Sequence, residues 1–245
     1  MTTVATIEAR MTSSRLPGKM ALPIGNDSVL GLLIERLKRV PELDDVVLAT
    51  TSNADDDVLA KIATDKGAKV FRGSEHDVLG RVRGALDFAN ADICVEITGD
   101  CPLSDPAMVS RMLGEFAGTR GRNAYVANTT GPELGAPHGL DIQVFEADAL
   151  RTIEEEYQDD DAREHVSMPF YGSDAHRWSP RFVSFFPDAI SHSVWLSLDY
   201  EEDYRLICAV HESLVGEAGY GAAAMIDAAL ARPGMTRACL ALRGW

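Results

Sequence analysis

A loop rich in basic and small side chains, ARMTSSRLPGK, occupies residues 9–19. It groups Arg10, Arg15 and Lys19 in a chain whose formal net charge is −15. Arginines hold phosphate oxygens in a fixed forked geometry, a lysine adds a point charge, and Gly18 lets backbone N–H groups approach an anion. The loop therefore predicts a phosphate-binding site. The alternative is a solvated basic loop that ends in an ordinary Pro-Gly turn.

Two aspartates stand where apolar segments end. Asp100 lies in TGDCPLSDP, residues 98–106, and Asp199 lies in LSLDYEEDY, residues 196–204. A carboxylate that faces bound phosphates is typical of a magnesium site, because Mg²⁺ usually takes one or two carboxylates together with phosphate oxygens. Two structural alternatives stay open: Asp100 could close its own turn, and Asp199 could cap a helix with Glu202 as its partner.

Several other catalytic patterns are absent from the sequence. There is no GxxxxGK[ST], GxGxxG, HExxH or GxSxG motif, which argues against P-loop, dinucleotide-binding, zinc-protease and serine-hydrolase chemistry. The four cysteines form no CxxC pair, so a zinc ribbon is not expected. Taken alone, His165 has the charged neighbours of a surface helix.

The pattern of secondary structure predicts how the candidate loops are positioned. Strands are predicted at 3–9, 44–51, 68–71 and 91–98, and helices at 28–39, at 54–66, after Ser74 and from Pro106. Such alternation is typical of a parallel sheet with helices on both faces, and ligands of such sheets bind beyond the carboxyl ends of the strands. The basic loop and Asp100 should therefore face one crevice.

The second half of the chain is less regular. Strands are predicted in 123–130 and 139–145, a charged helix over 151–166, β-rich stretches at 181–186 and 193–198, a helix from Asp199, and a helical and then irregular segment at 221–245. No internal repeat or linker separates these segments. We predict a single domain over residues 1–245, with an insertion or arm around 130–190.

The composition restricts the expected partners. A strongly acidic chain repels nucleic-acid backbones and anionic membrane surfaces, so neither is expected to bind. No apolar run reaches the length of about eighteen residues that predicts a transmembrane helix. The N-terminal MTTVATIEAR lacks a basic and then apolar leader, and cytoplasmic location is the expectation that follows.

Eight blocks of the sequence together resemble one enzyme family. They are AR-x(2)-SSRLPGK, ATTSNADDD, VFRGSEHDVLGR, TGDCPLSDP, YVAN, GLDIQVF, REHVS and LDYEEDY, and they cover roughly residues 3–215 in this order. The sequence is similar to the cytidylyltransferases that include CMP-Kdo and CMP-sialic acid synthetases. Within that family it most resembles the spore-coat-polysaccharide-type branch.

The resemblance implies a nucleotide-diphospho-sugar transferase-like, Rossmann-like α/β fold and transfer of CMP from CTP with Mg²⁺, releasing pyrophosphate. It implies a nucleotide site at Ala9, Arg10, Ser13, Arg15, Lys19, Arg72 and Thr98, with Ala9, Arg72 and Thr98 near the base. It implies Mg²⁺ ligands Asp100 and Asp199, with Arg10, Lys19 and Asp100 as catalytic residues. For the acceptor it implies Asn128, His138 and Asp141. Arg163, Glu164 and His165 would touch the acceptor or the second subunit of a homodimer, and the 130–190 insertion would carry both contacts.

Two positions depart from the pattern of the branch. Glu96 stands before the TGDCP block where arginine is expected, and Gln143 follows GLDI where glutamate is expected. Both bear on the acceptor site, and the acceptor stays open among an acidic sugar, a sugar phosphate and a phosphonate.

Two other functions remain as alternatives. A glycosyltransferase of the same fold type would use a nucleotide sugar, but no DxD follows the fourth long predicted strand, where the turn reads GDCPLSD. A non-catalytic nucleotide-binding protein would bind CTP without turnover. Retention of the whole basic loop together with both aspartates argues against this second alternative.

Overall fold

The computed structural model describes residues 1–119, 125–131, 134–216 and 219–245 of the chain. Within these ranges the strands are β1 (Thr3–Glu8), β2 (Pro23–Ile24), β3 (Asp27–Ser28), β4 (Asp45–Thr51), β5 (Lys69–Gly73), β6 (Ile93–Thr98), β7 (Tyr125–Ala127), β8 (Gln143–Glu146) and β9 (Arg181–Phe182). The α-helices are α1 (Val29–Leu37), α2 (Asp57–Asp65), α3 (Val78–Ala89), α4 (Pro106–Thr119), α5 (Ala147–Glu156), α6 (Asp160–Glu164), α7 (Met168–Tyr171), α8 (Ala175–Trp178), α9 (Asp188–Ser191), α10 (Glu201–Leu214), α11 (Ala222–Leu230) and α12 (Pro233–Ala241).

Seven strands form the central sheet in the order β5-β4-β1-β6-β8-β7-β9, while β2 pairs with β3 separately. β1 is parallel to both β4 and β6, and β4 is parallel to β5. β8 runs antiparallel to β6 and to β7. The predicted α/β class with a mostly parallel sheet is therefore confirmed, and β8 is its reversed strand.

Helices cover both faces of this sheet, as predicted. Leu33 of α1 belongs to one buried cluster and Leu79 of α3 to the other. β1 supplies Ile7 to the first cluster and Val4 to the second, because successive strand side chains point to opposite faces. Among the described residues, no helix is long and apolar enough to cross a membrane.

Two helices beside the predicted crevice begin at acidic caps. The Asp77 carboxylate accepts a hydrogen bond from Gly80 N at 2.9 Å, so Asp77 and not the predicted Ser74 caps α3. Asp105 accepts from Ala107 N at 2.9 Å directly before α4, as predicted for that helix start. A carboxylate at these ends satisfies backbone N–H groups that have no partner inside the helix.

The irregular second half differs from the sequence prediction. The segment 193–198 pairs with no strand: Leu196 N donates to His138 O and Leu198 N to Asp100 O, each at 2.8 Å. Its alternating apolar residues are buried, so they resemble a strand although their backbone bonds go to two separate loops. The charged stretch 151–166 is divided between α5 and α6, and 221–245 forms α11 and α12. The predicted insertion around 130–190 supplies β8 to the sheet itself.

Candidate active site

A cavity of about 500 Å³ opens where β1 and β6 end. Its lining includes nine of the predicted site residues: Ala9, Arg10, Ser13, Arg15, Lys19, Thr98, Asp100, Glu164 and His165. The first five come from the loop after β1, the next two from the end of β6, and the last two from α6 and the residue after it. The basic loop and Asp100 therefore meet at one crevice, as the strand-end argument predicted.

The basic loop is held by its own backbone. Gly18 has φ 73°, a left-handed conformation that favours glycine, and its N–H donates to Met11 O at 2.9 Å. Met11 N in turn donates to the buried Asp56 carboxylate at 2.7 Å. The loop is thus fixed between β1 and the start of α2, with its basic side chains directed toward the crevice and its rim.

Asp199 forms the anionic partner of this loop. Its Oδ1 lies 2.6 Å from Arg15 Nη2 and 3.2 Å from Lys19 Nζ. Lys19 Nζ also donates to Leu198 O at 2.6 Å. Both cations are therefore held by a carboxylate at the rim, an arrangement that an incoming triphosphate can replace.

Backbone bonds fix Asp199 beside Asp100. Leu198 N donates to Asp100 O at 2.8 Å, and Asp199 N donates to the Asp203 carboxylate at 2.9 Å. Asp203 also accepts from Tyr200 N, so the capping box of α10 consists of Tyr200 and Asp203, and not of Asp199 and Glu202. Asp199 itself is buried, and its second oxygen, Oδ2, lies 3.7 Å from Arg243 Nη2.

Asp100 presents its carboxylate to the cavity, and Thr98 Oγ1 donates to its Oδ1 at 2.6 Å. Two carboxylates are hard oxygen donors of the kind that Mg²⁺ prefers. Within the described ranges, no group of three or more His, Cys, Asp or Glu side chains could hold a metal ion. Asp100 and Asp199 would therefore supply at most two protein ligands, and phosphate oxygens and water would have to complete the coordination of a bound Mg²⁺.

Arg10 lies at the opposite side of the loop. Its Nη1 donates to Glu75 O at 3.1 Å and lies 3.9 Å from Glu75 Oε1. Hydrogen bonds from Thr12 and then Asn53 lower the pKa of Glu75. Arg10 thus has a carboxylate and a carbonyl as partners, and its guanidinium still lines the cavity.

The floor of the cavity is acidic and lies deeper along the face of the sheet that carries α3. Glu8, Glu96 and Gln143 line it. Burial raises the pKa of Glu8 to about 7 and that of Glu96 well above its usual value. Gln143 Oε1 accepts hydrogen bonds from Tyr125 and Ser167. The cavity therefore combines a basic mouth with an acidic floor.

Comparison with known proteins decides the family. The cytidylyltransferase family profile matches residues 4–176. A cytidylyltransferase structure from Leptospira borgpetersenii superimposes with a TM-score of 0.89 at 30% identity, covering 96% of this chain and 97% of that one. The chain belongs to the cytidylyltransferase family. It is a CTP-dependent nucleotidyltransferase, as predicted.

Two further comparisons define the branch and the fold. The spore coat polysaccharide biosynthesis protein SpsF of Bacillus subtilis is 29% identical over 216 residues, covering 84% of this chain and 85% of that protein, which bears out the predicted branch. The structure of CMP:2-keto-3-deoxy-manno-octonic acid synthetase complexed with CTP matches with a TM-score of 0.66 at 16% identity, covering 88% of this chain and all of that one. At this identity the match supports the predicted nucleotide-diphospho-sugar transferase-like fold alone.

Three predicted acceptor residues of this cytidylyltransferase do not line the cavity. Asn128 is 1% exposed; its Nδ2 donates to Leu140 O at 2.8 Å and its Oδ1 accepts from Ile142 N at 2.9 Å. These two bonds of Asn128 join β7 to the segment before β8. The other two residues pair with each other, with His138 Nδ1 3.5 Å from Asp141 Oδ1.

Asp141 is held by its own turn. Its Oδ2 accepts from Gly139 N at 2.6 Å. Burial acts to raise the pKa of Asp141, but hydrogen bonds and charge from His138 outweigh it, so the pKa is lowered. His138 stacks on Trp195 with ring centroids 4.6 Å apart, so this pair connects the start of β8 to the 193–198 segment.

Arg72 and Arg163 of the cytidylyltransferase are also directed elsewhere. Arg72 donates to Thr51 O and Asn53 O and pairs with Asp57 at 2.5 Å. Arg163 pairs with Asp77 at 3.1 Å. Neither guanidinium lines the cavity, whereas Glu164 and His165, the next two residues, do.

Two charged residues that line the cavity, Glu8 and Arg81, are not among the site residues predicted from the sequence. Arg81 is buried on α3 and its guanidinium donates to Ala49 O at 3.0 Å and Ser74 O at 2.6 Å. It lies between Val78 and Val82, two apolar residues at helical spacing, so the pattern of this helix gave no sign of a buried cation. Glu8 could have been found from the sequence, because it is a charged residue at the end of an otherwise apolar predicted strand.

Proposed function

We propose that this cytidylyltransferase transfers CMP from CTP to a small sugar acceptor, uses Mg²⁺ and releases pyrophosphate. The observation that carries the proposal is the contact of Arg15 and Lys19 with Asp199 at the mouth of a cavity that Asp100 also lines. Cations and carboxylates so close together are the groups that a magnesium–triphosphate complex requires.

In the reaction, an acceptor oxygen attacks the α-phosphorus of CTP and the bond to the leaving pyrophosphate breaks. Arg10, Arg15 and Lys19 would exchange their present partners for triphosphate oxygens and stabilise the charge that builds up on them. The rigid turn at Gly18 keeps these groups in place without the cost of ordering the loop during reaction.

Asp100 and Asp199 are the proposed Mg²⁺ ligands. The ion, when bound, would neutralise phosphate charge and assist the leaving group. The hydrogen bond from Leu198 N to Asp100 O joins the two chain segments that carry these aspartates, and the Asp203 carboxylate holds the backbone of Asp199. If the attacking group is a sugar hydroxyl, its proton needs an acceptor, and Asp199 is the candidate base; an acceptor that is already ionised needs none.

The acceptor is proposed from the cavity and from relatives. A volume of about 500 Å³ accommodates a sugar of ordinary size beside a nucleotide's reacting end. The names of the relatives refer to spore coat polysaccharide and to 2-keto-3-deoxy-manno-octonic acid. We infer a sugar acceptor for polysaccharide synthesis, while sugar phosphates and phosphonates are retained in the test. Homodimer formation, testable by sedimentation velocity, and cytoplasmic location stay predictions.

The decisive experiment measures pyrophosphate release from CTP, UTP, ATP and GTP with Mg²⁺ across acidic sugars, sugar phosphates and phosphonates. We expect release that needs CTP, Mg²⁺ and one acceptor class. Lys19→Ala should lower kcat about 10²–10³-fold, as loss of one charge-stabilising group does. Lys61→Ala is the matched control, because the Lys61 side chain is exposed on α2 and pairs with Asp65 one turn further along the same helix.

Two outcomes would contradict the proposal. Full turnover in Lys19→Ala, with a thermal unfolding profile like that of the parent, would remove the basic loop from the mechanism. Release of a free nucleoside diphosphate from a nucleotide sugar would instead identify the glycosyltransferase alternative.

A further inference from the structure

Glu8 and Glu96 are diagonal neighbours on one face of the sheet. In the β1–β6 register Glu8 is opposite Thr98 and Glu96 is opposite Thr6. Positions two apart on a strand share a face, so both glutamates point to the face that carries α3. Both line the cavity, and Glu96 is 4% exposed.

The carboxyl oxygens on this floor lack partners. Among the described residues, no hydrogen-bond donor reaches Glu8 Oε1, Glu8 Oε2 or Glu96 Oε2, and all three atoms are buried. Arg81 lines the same cavity and its charge acts on Glu8, but its guanidinium donates hydrogen bonds to backbone carbonyls and not to the glutamate. Buried polar groups without partners are rare in folded proteins and point to a ligand that supplies them.

The two positions at which the sequence departs from its branch are one pair in the structure. Glu96 is directly opposite Gln143 in the β6–β8 register. Gln143 Oε1 already accepts from Tyr125 and Ser167. The cation expected at position 96 is therefore replaced by a carboxyl group, and no basic side chain takes its place on β8.

Charge on this floor is costly in the absence of a ligand. Burial raises the pKa of both glutamates, and the charge of Glu8 raises that of Glu96 further, whereas the charge of Arg81 lowers the pKa of Glu8 without outweighing its burial. A cation that donates hydrogen bonds would remove both penalties together.

We propose that Glu8 and Glu96 form a subsite for a protonated primary amine, so that the acceptor of this enzyme is an amino sugar. A primary ammonium has three N–H donors, one for each of the three oxygen atoms without partners. A hydroxyl donates only once and leaves the others unsatisfied. The identification of the amine as part of the acceptor rests on the proposed function, whereas binding of an amine at the two glutamates can be tested without turnover.

The amine is assigned to the acceptor because of what surrounds Glu96. Gln143 belongs to β8, and Ser167 lies between α6 and α7, so this end of the floor comes from the second half of the chain. The basic loop that would hold CTP lies at the mouth. The competing assignment is that the two carboxyl groups bind the exocyclic amine of cytosine. The test distinguishes binding of the acceptor amine from binding of the base.

The test compares matched sugars that differ only by an amine in place of a hydroxyl, including 2-amino-2-deoxyglucose against glucose and 8-amino-3,8-dideoxy-manno-octulosonate against 3-deoxy-manno-octulosonate. Their affinity is measured by calorimetry, with CMP present, for the parent, Glu8→Gln, Glu96→Gln and the exposed control Glu155→Gln. We expect at least one amine to bind about ten- to a hundredfold more tightly than its partner, as charge-assisted hydrogen bonds do. Either cavity substitution should abolish that preference, and Glu155→Gln should retain it.

The proposal fails if no amine binds more tightly than its hydroxyl partner, or if the preference survives in both cavity variants. It also fails if the variants change only the preference for CTP over UTP, since the carboxyls would then read the base. Absence of pyrophosphate release from every pair would contradict the proposed function, whereas the calorimetric preference would still decide the subsite. Thermal unfolding of each variant excludes loss of the fold.

Discussion

Asn128 allows a structural role to be distinguished from a role in acceptor binding. The side chain is buried and makes two hydrogen bonds, to Leu140 O at 2.8 Å and from Ile142 N at 2.9 Å. Replacement by alanine leaves one buried carbonyl and one buried N–H without their partners. Each such group costs about 1–3 kcal/mol, so Asn128→Ala should lower the free energy of unfolding by about 3 kcal/mol.

The assay is denaturant and thermal unfolding, with acceptor kinetics measured on the same samples. For a chain of 245 residues, each kcal/mol shifts Tm by about 2–4 °C, so the expected decrease is roughly 6–12 °C. Asn128→Asp is the matched variant: it can still accept from Ile142 N, but it loses its donor and turns a carboxylate toward a carbonyl oxygen. It should therefore also be destabilised.

The result that would refute this reasoning is specific. If Asn128→Ala unfolds at the parent temperature while KM for the acceptor increases and KM for CTP stays constant, Asn128 contacts the acceptor and its two bonds contribute little to the fold. A lower Tm with unchanged KM below the unfolding range would support the structural role.

Two further predictions concern stability. Asp203 is fully buried and accepts two hydrogen bonds of 2.9 and 2.7 Å from Arg243, so its removal leaves that cation without its partner. Asp203→Ala should therefore lower the free energy of unfolding, measured by chemical denaturation, by about 3–5 kcal/mol. A loss below about 1 kcal/mol would contradict this reasoning. The raised pKa of Glu8, about 7 against a usual 4.5, means that the folded state holds its proton more tightly than the unfolded state. Stability of the parent should therefore fall relative to Glu8→Gln as pH rises from about 4.5 to about 7, by up to about 3 kcal/mol, and a difference that is constant from pH 4.5 to pH 8 would show that the carboxyl group is not desolvated.

The meeting of the basic loop and Asp100 at one cavity could be predicted from sequence because each group follows the end of a strand directly. Arg10, Arg15 and Lys19 follow one strand within a single loop, and Asp100 follows another, so the strand-end rule alone brings them to one crevice. The alternating strands and helices that carry them have strong periodicity, and that part of the fold was predicted correctly.

The surroundings of the three predicted acceptor residues that do not line the cavity could not be predicted in the same way. Asn128, His138 and Asp141 obtain their surroundings from the return of segment 193–198, which has the alternation of a strand but bonds to two loops. Sequence spacing does not report such contacts. Arg81 was missed for a related reason, since a buried cation whose donors go to carbonyls has the spacing of an apolar helix position.

The reversed direction of β8 has a consequence for how this enzyme can diverge. In a parallel strand the last residues face the ligand, but β8 presents its first residue, Gln143, to the cavity. Under the proposed function, the strand beside the acceptor would therefore enter the site from the opposite direction to the loop proposed to bind the nucleotide. Substitutions on this strand could then change the acceptor while the proposed CTP site stays the same.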